Sequence, residues 1–149
     1  MLSREQFETE LRQAMRSGDD LRKRTLRMVL SAIQLAEVEQ RGPLEEAALM
    51  AILQKEVKTR HEAIADADKA GRGDLAQASK DELNLLQTYL PQALTPQELE
   101  NLARQAISAT GAEGPQDMGK VMKELMPQVQ GRADGKVVST LVRDLLTPS

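Results

Sequence analysis

Hydrophobic residues between positions 95 and 146 recur at helical spacing in three successive stretches. The stretches are Leu99, Leu102, Ala103, Ala106 and Ile107; Met118, Val121, Met122, Leu125 and Met126; and Val138, Leu141, Val142, Leu145 and Leu146. Residues three and four positions apart share one face of a helix, so each stretch predicts an amphipathic helix with its apolar face inward. Pro127 and Gly131 separate the second helix from the third and are expected to prevent one continuous helix.

Capping residues stand before each of these three stretches. Thr95 is followed by Pro96 and, three residues after the threonine, by Glu98, which is the pattern of a reciprocal capping box. Asp117 and Asp134 precede the other two stretches. An aspartate at this position accepts hydrogen bonds from the unpaired N–H groups of the first helical turn, so both are predicted N-caps.

The first 90 residues predict four further helices. Ser3 is expected to cap the first, and Gly18 to end it; the other breaks are at Gly42-Pro43 and Gly71-Arg72-Gly73, and the fourth helix ends before Pro91. In the second helix one apolar face holds Leu26, Leu30, Ile33 and Ala36, and Met28, Val29, Leu35 and Val38 widen it. Such a wide apolar face predicts packing against more than one neighbour.

These patterns predict an all-α fold in two parts. Residues 1–90 form an N-terminal helical array, and residues 91–149 form a three-helix tail domain. The boundary is placed at Tyr89-Leu90-Pro91, just before the capping box at Thr95. No stretch has the alternating pattern of a strand, since Val137-Val138 follows a helix cap and continues at helical spacing.

Composition excludes several classes of function. The 149 residues include no cysteine, which removes disulfides, thiol nucleophiles and cysteine-based zinc sites. Phe7 and Tyr89 are the two aromatic residues, too few for a module that stacks unpaired bases on exposed rings. The first residues lack the apolar core of a signal peptide, and no apolar run is long enough for a membrane span, so we predict a cytoplasmic protein.

Charge is nearly balanced along the chain. The net charge is -3, with 14 basic and 16 acidic residues up to position 90 and 6 basic and 7 acidic residues after it. Neither part is the basic arm of a strong electrostatic binder of nucleic acid. Any contact with RNA would therefore depend on shape and on a few phosphates.

Six separated motifs carry a resemblance to a known family. They are Arg27-Met28, Lys55-Glu56-Val57-Lys58-Thr59-Arg60, Ala70-Gly71-Arg72, Tyr89-Leu90-Pro91, Asp117-Met118-Gly119-Lys120-Val121-Met122 and Gly131-Arg132-Ala133-Asp134-Gly135-Lys136. In this order they resemble the GatB/YqeY family, whose small members are similar to the tail of the B subunit of glutamine-dependent tRNA amidotransferase. Ser79 is a departure, because the family usually has an acidic residue near this position; Asp81 and Glu82 are candidates to compensate for it.

The resemblance implies that the tail contacts tRNA, since the amidotransferase tail engages the outer elbow of tRNA. The RNA-binding positions that it implies are Gly119, Lys120, Lys123, Gly131, Arg132, Gly135 and Lys136. A helix N-terminus offers free amides and positive potential to a phosphate, and glycine lets a backbone approach closely. The residues alone favour the competing interpretation of simple capping, because Asp117 and Asp134 would occupy those amides and repel an anion.

A second candidate basic patch lies in the N-terminal part. Its members are Arg24, Arg27, Lys55, Lys58, Arg60 and Arg72. The alternative is a salt-bridged surface in which Asp19, Asp20 and Glu56 neutralise these cations, and the residues favour that alternative slightly.

No catalytic, metal or cofactor site is visible in the sequence. His61 is the one histidine and stands among charged residues without a second metal ligand, and no phosphate-binding loop or nucleophile motif is present. We therefore expect a non-enzyme without cofactor: a tRNA-binding accessory protein related to carbon–nitrogen ligation with glutamine as amide donor. The expected partners are tRNA and an amidotransferase or a tRNA-synthetase-type protein, with no membrane and no metal.

Two other classes of function stay open. A protein–protein adaptor without RNA contact fits the acidic balance equally well, and an exposed apolar patch would support it. An independent enzyme would need a deep polar pocket that gathers Arg27, Lys55, Lys58 and Arg60.

Overall fold

The computed structural model describes residues 2–148, and these residues form helices without a strand. The helices are α1 (Arg4–Ser17), α2 (Asp20–Gln40), α3 (Glu46–Lys69), α4 (Gly73–Gln87), α5 (Pro96–Thr110), α6 (Met118–Val129) and α7 (Gly135–Leu146). A short 3₁₀ turn, Pro115–Asp117, leads directly into α6. The predicted all-α fold, with four helices before the boundary and three after it, is confirmed.

The chain divides into two compact units, one ending at Pro91 and the other beginning at Gln92. In the first unit α1 packs along α2, and α3 packs along α4. Its core joins buried side chains from all four helices: Phe7, Leu26, Val29, Ile33, Leu49, Leu53 and Leu86. Ile52 and Val57 of α3 are partly buried against this core.

The second unit, from Gln92 onward, has a separate core. Its buried members are Leu99, Ala103, Ala106, Val121, Leu125, Val129, Val138, Val142 and Leu146. Met118, Met122 and Met126 pack around this core from the same face of α6. The methionines are therefore part of the packing between α5, α6 and α7.

Most helix ends follow the predicted capping chemistry. Ser3 Oγ accepts a hydrogen bond from the Gln6 amide, and Gly18 ends α1 in the left-handed conformation with φ 72°. At α5 both bonds of the capping box are present, from the Glu98 amide to Thr95 Oγ1 and from the Thr95 amide to Glu98. The sequence locates these helix starts because each bond joins residues only three positions apart.

As predicted, α2 packs against more than one neighbour, since it contacts α1, α3 and α4. Val29 is buried, but Met28, Leu35 and Val38 are 38%, 61% and 67% exposed. The expectation that these three side chains pack inward is wrong. Neighbouring helices cover the face with Leu26 and Val29. On the opposite face Met28 contacts Arg60 of α3, while Leu35 and Val38 remain exposed.

The predicted break between the second and third helices of the tail is present, but Pro127 lies inside α6 and not between the helices. The helix continues through Pro127 to Val129, and the chain reverses at Gly131, where φ is 79°. Val129 is fully buried in the tail core, so tertiary packing holds the last turn although proline cannot donate a backbone hydrogen bond there.

Candidate nucleic-acid interface

Asp117, at the start of α6, does not cap the helix as the sequence predicts. Its carboxylate accepts a hydrogen bond from the Glu113 amide at 3.0 Å instead, and α6 has no side-chain cap. This bond, together with the nearby Lys120 ammonium, holds the pKa of Asp117 below its ordinary value. The Met118 N–H donates to the Pro115 carbonyl, so helical bonding already begins in the 3₁₀ turn. Asp117 therefore does not occupy the first amides of α6, contrary to the capping interpretation.

Two lysines project from the first turns of α6. Lys120 Nζ lies 3.6 Å from Asp117 Oδ1, and its side chain is 68% exposed, so the contact leaves most of the ammonium hydrated. Lys123, three residues on, is exposed and forms no ion pair within residues 2–148. The spacing places both on one side of the helix, where they form a small positive stripe.

Arg132 has a structural role that the sequence did not indicate. Its Nε donates to the Gln92 carbonyl at 2.9 Å, while its own carbonyl accepts a hydrogen bond from the Leu94 amide at 2.9 Å. Both bonds attach the segment before α5 to the turn between α6 and α7. Gly131, beside it, is buried and needs its positive φ, so it is a turn residue and its backbone is not open to a ligand.

The start of α7 agrees with the sequence prediction. Asp134 Oδ1 accepts a hydrogen bond from the Lys136 amide at 2.9 Å, so this aspartate is the N-cap. The Lys136 side chain is exposed and forms no ion pair with any described residue. The backbone amide of Lys136 is thus bonded to Asp134, but its side-chain ammonium is available to a ligand.

Neither Gly119 nor Gly135 is required by the contacts of this chain. A Cβ added at Gly119 would meet nothing within 4 Å, and one added at Gly135 would meet only Met126 Cε at 3.9 Å, an ordinary contact. Neither residue has a positive φ. Glycine in a helix lowers stability by up to about 1 kcal/mol relative to alanine, so an intramolecular reason for these two glycines is missing.

Arg143 is a cation of the tail that the sequence analysis missed. It is exposed on α7, seven residues after Lys136, and it forms no ion pair within the described chain. Residues separated by seven lie on the same face of a helix, with Thr140 between them. The signal was present in the spacing, but Arg143 lies outside the family motif that directed attention to Lys136.

The second candidate basic patch does not form one surface, because Arg60 is buried. Only 4% of this residue is exposed. Its Nε donates to Glu82 at 2.6 Å, and its two terminal nitrogens donate to Glu56 and to Met28 Sδ, each at 3.2 Å. Arg24 donates to the other oxygen of Glu82 at 2.9 Å. Glu82 therefore joins α2, α3 and α4, and Arg60 cannot reach a ligand in solution.

The other members of that patch differ among themselves. Arg72 makes two hydrogen bonds to Asp74, at 3.1 and 3.0 Å, and this exposed contact holds the pKa of Asp74 below its ordinary value. Arg27, Lys55 and Lys58 are exposed and form no ion pair with a described residue. The salt-bridged alternative is thus correct for Arg24, Arg60 and Arg72, whose acids are Glu82, Glu56 and Asp74. Asp20 pairs instead with the neighbouring Lys23, at 3.3 Å.

Glu82 is the residue on which this network depends, and its role could be found only in part from the sequence. It lies one turn before Leu86 on α4, beside the inward face. The family departure at Ser79 directed attention to Asp81 and Glu82 together. Asp81 instead accepts a hydrogen bond from Gln77 on the exposed side of α4, and only the fold distinguishes the two acids.

Both aromatic rings are used in the interior of the first unit. Phe7 is fully buried, and Tyr89 packs against it edge to face with ring centroids 5.2 Å apart. Burial raises the pKa of Tyr89 to about 12, and the nearby Glu10 carboxylate adds to this shift. Neither ring is available to stack on an unpaired base.

One open cavity, of about 320 Å³, lies in the first unit. It is lined by Leu2, Gln6, Glu46, Met50, Thr88, Tyr89, Leu90 and Pro91. Its lining includes none of the cations that the enzyme hypothesis requires, and Glu46 is already bonded to the Leu2 amide at 3.1 Å. Within residues 2–148 no group of His, Asp and Glu is arranged to hold a metal ion, and no helix is long and apolar enough to cross a membrane.

Comparison with protein families identifies the chain. The model of the YqeY family, described as YqeY-like protein, matches residues 4–146. The chain belongs to the YqeY family. The resemblance inferred from the six motifs is confirmed, and the match includes both units.

The relatives of this YqeY-family chain come from two groups of proteins. Altered inheritance of mitochondria protein 41 of Pyrenophora tritici-repentis is 27% identical over 94% of this chain and 78% of its own length. The protein of the same name from Vanderwaltozyma polyspora is 38% identical over 61% of this chain, which spans about half (51%) of that relative. One subunit of the glutamyl-tRNA(Gln) amidotransferase of Thermococcus gammatolerans is 39% identical over 38% of this chain and 9% of its own length.

These comparisons contradict the predicted cytoplasmic location. The Pyrenophora and Vanderwaltozyma relatives, with a third from Eremothecium gossypii that is 39% identical over 65% of this chain, are all named as mitochondrial proteins. The prediction depended on the lack of an apolar leader. That lack does not distinguish the cytoplasm from other compartments, which proteins can reach by signals without an apolar core.

Glu82 and Asp74 provide a matched test of the buried network, since each carboxylate bonds to an arginine. We expect Glu82→Gln to lower the free energy of unfolding by about 3 kcal/mol, because it leaves the Arg60 guanidinium buried without its main counter-charge. Asp74→Asn removes an exposed partner and should leave stability nearly unchanged. Urea unfolding followed by circular dichroism measures both, and equal effects would contradict the structural role of Glu82.

Tyr89 can be titrated without interference, because it is the one tyrosine of a chain without tryptophan. Its absorbance at 295 nm should change with a midpoint near pH 12 in the folded chain and near pH 10 in urea. The folded state holds this proton more tightly, so the corresponding stability is fully present below pH 10 and is lost as the pH rises towards 12. A midpoint near 10 without urea would contradict the burial of the hydroxyl.

Proposed function

We propose that this YqeY-family chain is a tRNA-binding accessory protein, that it acts beside glutamine-dependent amidotransfer, and that it carries no catalytic site of its own. The observation that carries the proposal is the set of exposed cations around the starts of α6 and α7. Lys120, Lys123 and Lys136 are available to phosphates, and the partial match to part of a glutamyl-tRNA(Gln) amidotransferase points to the same kind of partner.

The two glycines support the same proposal. Gly119 and Gly135 each stand next to one of the lysines, and nothing in the chain requires either of them. A glycine that lowers helix stability without an intramolecular reason is understandable where an external phosphate or sugar approaches the backbone closely. The cost to helix stability is then offset by binding.

The recognition proposed here is electrostatic and depends on shape. Phe7 and Tyr89 are packed against each other, so base stacking on aromatic rings does not contribute. With a net charge of -3, the chain has only local positive potential, and we expect weak binding that depends strongly on salt. Such binding suits an accessory protein that acts together with a larger assembly.

Two observations support a non-catalytic role: the residues that line the cavity of the first unit, and the ion pairs around Arg60. The cavity of the first unit contains none of the free cations, and the charges around Arg60 neutralise one another. The names of the mitochondrial relatives state no reaction. In this proposal the partner protein, and not this chain, catalyses the amidotransfer.

Two triple variants of equal charge test the location of the RNA contacts. Lys120/Lys123/Lys136→Ala removes the tail cations and spares Arg132, whose bond to Gln92 is structural. We expect it to weaken binding to unfractionated tRNA by about tenfold or more at low salt, because fewer lysine–phosphate contacts release fewer counterions from the RNA on binding. The slope of log affinity against log salt should also become shallower, which fluorescence anisotropy at several salt concentrations measures.

The control is Arg27/Lys55/Lys58→Ala, which removes three exposed cations from the first unit. Both variants change the net charge by the same amount, so a difference between them reports location and not total charge. We expect the control to bind tRNA like the wild type. Equal loss in both variants would reject a tail-specific site, and no binding by the wild type at low salt would reject the RNA proposal.

Replacing Gly119 and Gly135 with alanine should change the free energy of unfolding and the affinity for tRNA in opposite directions. Gly119→Ala/Gly135→Ala is expected to raise the free energy of unfolding, by up to about 1 kcal/mol for each site, because alanine is the better helix former and meets no clash. The same variant should bind tRNA several-fold more weakly, since two methyl groups obstruct the close approach. A variant that is more stable and binds equally well would contradict the role given to the glycines.

A further inference from the structure

The outer face of α2 carries an apolar stripe that stays largely exposed, although Met28 Sδ at its N-terminal end accepts a hydrogen bond from Arg60. Met28, Leu35 and Val38 are 38%, 61% and 67% exposed, and the small residue Ser31 lies between them. The positions 28, 31, 35 and 38 alternate steps of three and four, which is the spacing of the seam by which one helix packs along another. Leu26, Val29 and Ile33, on the opposite face, are buried in the core of the first unit.

We propose that this stripe is the docking surface for an amphipathic helix of another protein, with acidic residues beside the apolar face of that helix. The stripe lies in the first unit and the tail cations lie in the second, so this inference does not depend on the proposed tRNA site. The apolar seam supplies the contact area, and Ser31 lets the partner helix approach the backbone of α2 closely.

The charges next to the stripe specify an acidic partner. Arg27 precedes Met28 on one edge, and Arg41 follows α2 as its left-handed C-cap residue, three positions after Val38. Neither arginine forms an ion pair within residues 2–148. Arg24 continues the stripe at its N-terminal end and stays 51% exposed while it bonds to Glu82. Glu39, on the other edge, is the exposed acid nearest to Val38. Glutamates or aspartates beside the apolar face of a partner helix would pair with the free arginines.

A second copy of the same chain does not satisfy these charges. An antiparallel pair of α2 helices that opposes Met28 to Val38 would bring Arg27 of each copy towards Arg41 of the other. A parallel pair would oppose Arg24 to itself within the seam. Like charges at these positions destabilise a helix pair, so the stripe favours a different chain with complementary charge.

The test uses two synthetic peptides of three heptads with leucine at the first and fourth positions of each heptad. One peptide has glutamate at the two flanking positions, and the other has lysine there. Repulsion among like flanking charges keeps each peptide from pairing with itself. Fluorescence anisotropy of the labelled peptides with the full chain measures binding, and the structure predicts at least about tenfold tighter binding of the glutamate peptide.

The chain offers a matched pair of variants. Leu35→Ser/Val38→Ser replaces two exposed apolar side chains of the stripe, and it should weaken binding of the glutamate peptide by about tenfold or more. Met15→Ser/Leu75→Ser removes two other apolar side chains of the first unit, which are 53% and 50% exposed. This variant should bind the glutamate peptide as tightly as the wild type does. Circular dichroism verifies that both variants keep the helical fold.

Four outcomes would overturn the proposal. They are no binding of the glutamate peptide, equal binding of the two peptides, unchanged binding by Leu35→Ser/Val38→Ser, and equal losses in both variants. Analytical ultracentrifugation of the chain alone measures whether it forms a dimer. A dimer that Leu35→Ser/Val38→Ser abolishes would assign the stripe to a second copy of the chain and reject the acidic partner.

Discussion

The buried guanidinium of Arg60 is the constraint on which the first unit depends. It comes from α3, bonds to Glu82 of α4, and through that carboxylate is linked to Arg24 of α2. A buried charge is tolerated only when it is paired and hydrogen-bonded, so these three helices cannot separate without leaving Arg60 or Glu82 uncompensated. Apolar packing around Leu26, Leu53 and Leu86 supplies the core, and the network restricts how the helices can be arranged around it.

The tail is held together in a different way. Its core is wholly apolar, and its polar bonds lie at the ends of helices: the capping box at Thr95, the Asp134 cap and the bonds of Arg132 to Gln92 and Leu94. This arrangement leaves the lysines of α6 and α7 outside the packing. Buried Arg60 of the first unit is thus held by acids, whereas Lys120, Lys123 and Lys136 of the second unit are available to a partner.

The two surfaces proposed here suit partners of different chemistry. The tail surface is small, positive and without aromatic rings, and these properties suit phosphates better than bases. The α2 stripe is apolar with a basic edge, which suits an acidic helix. Together they are consistent with an accessory protein that brings an RNA and a protein to the same chain.

The helices and most of their caps could be predicted from the residues alone, because the bonds involved join positions three or four apart. The family could be predicted in the same way, since its motifs are read directly from the residues. The burial of Arg60 against Glu82, 22 positions away, and the bond of Asp117 to Glu113 in place of a cap on α6 required the folded chain. The same holds for Leu35 and Val38, since whether an apolar face is covered depends on helices that are distant in the chain.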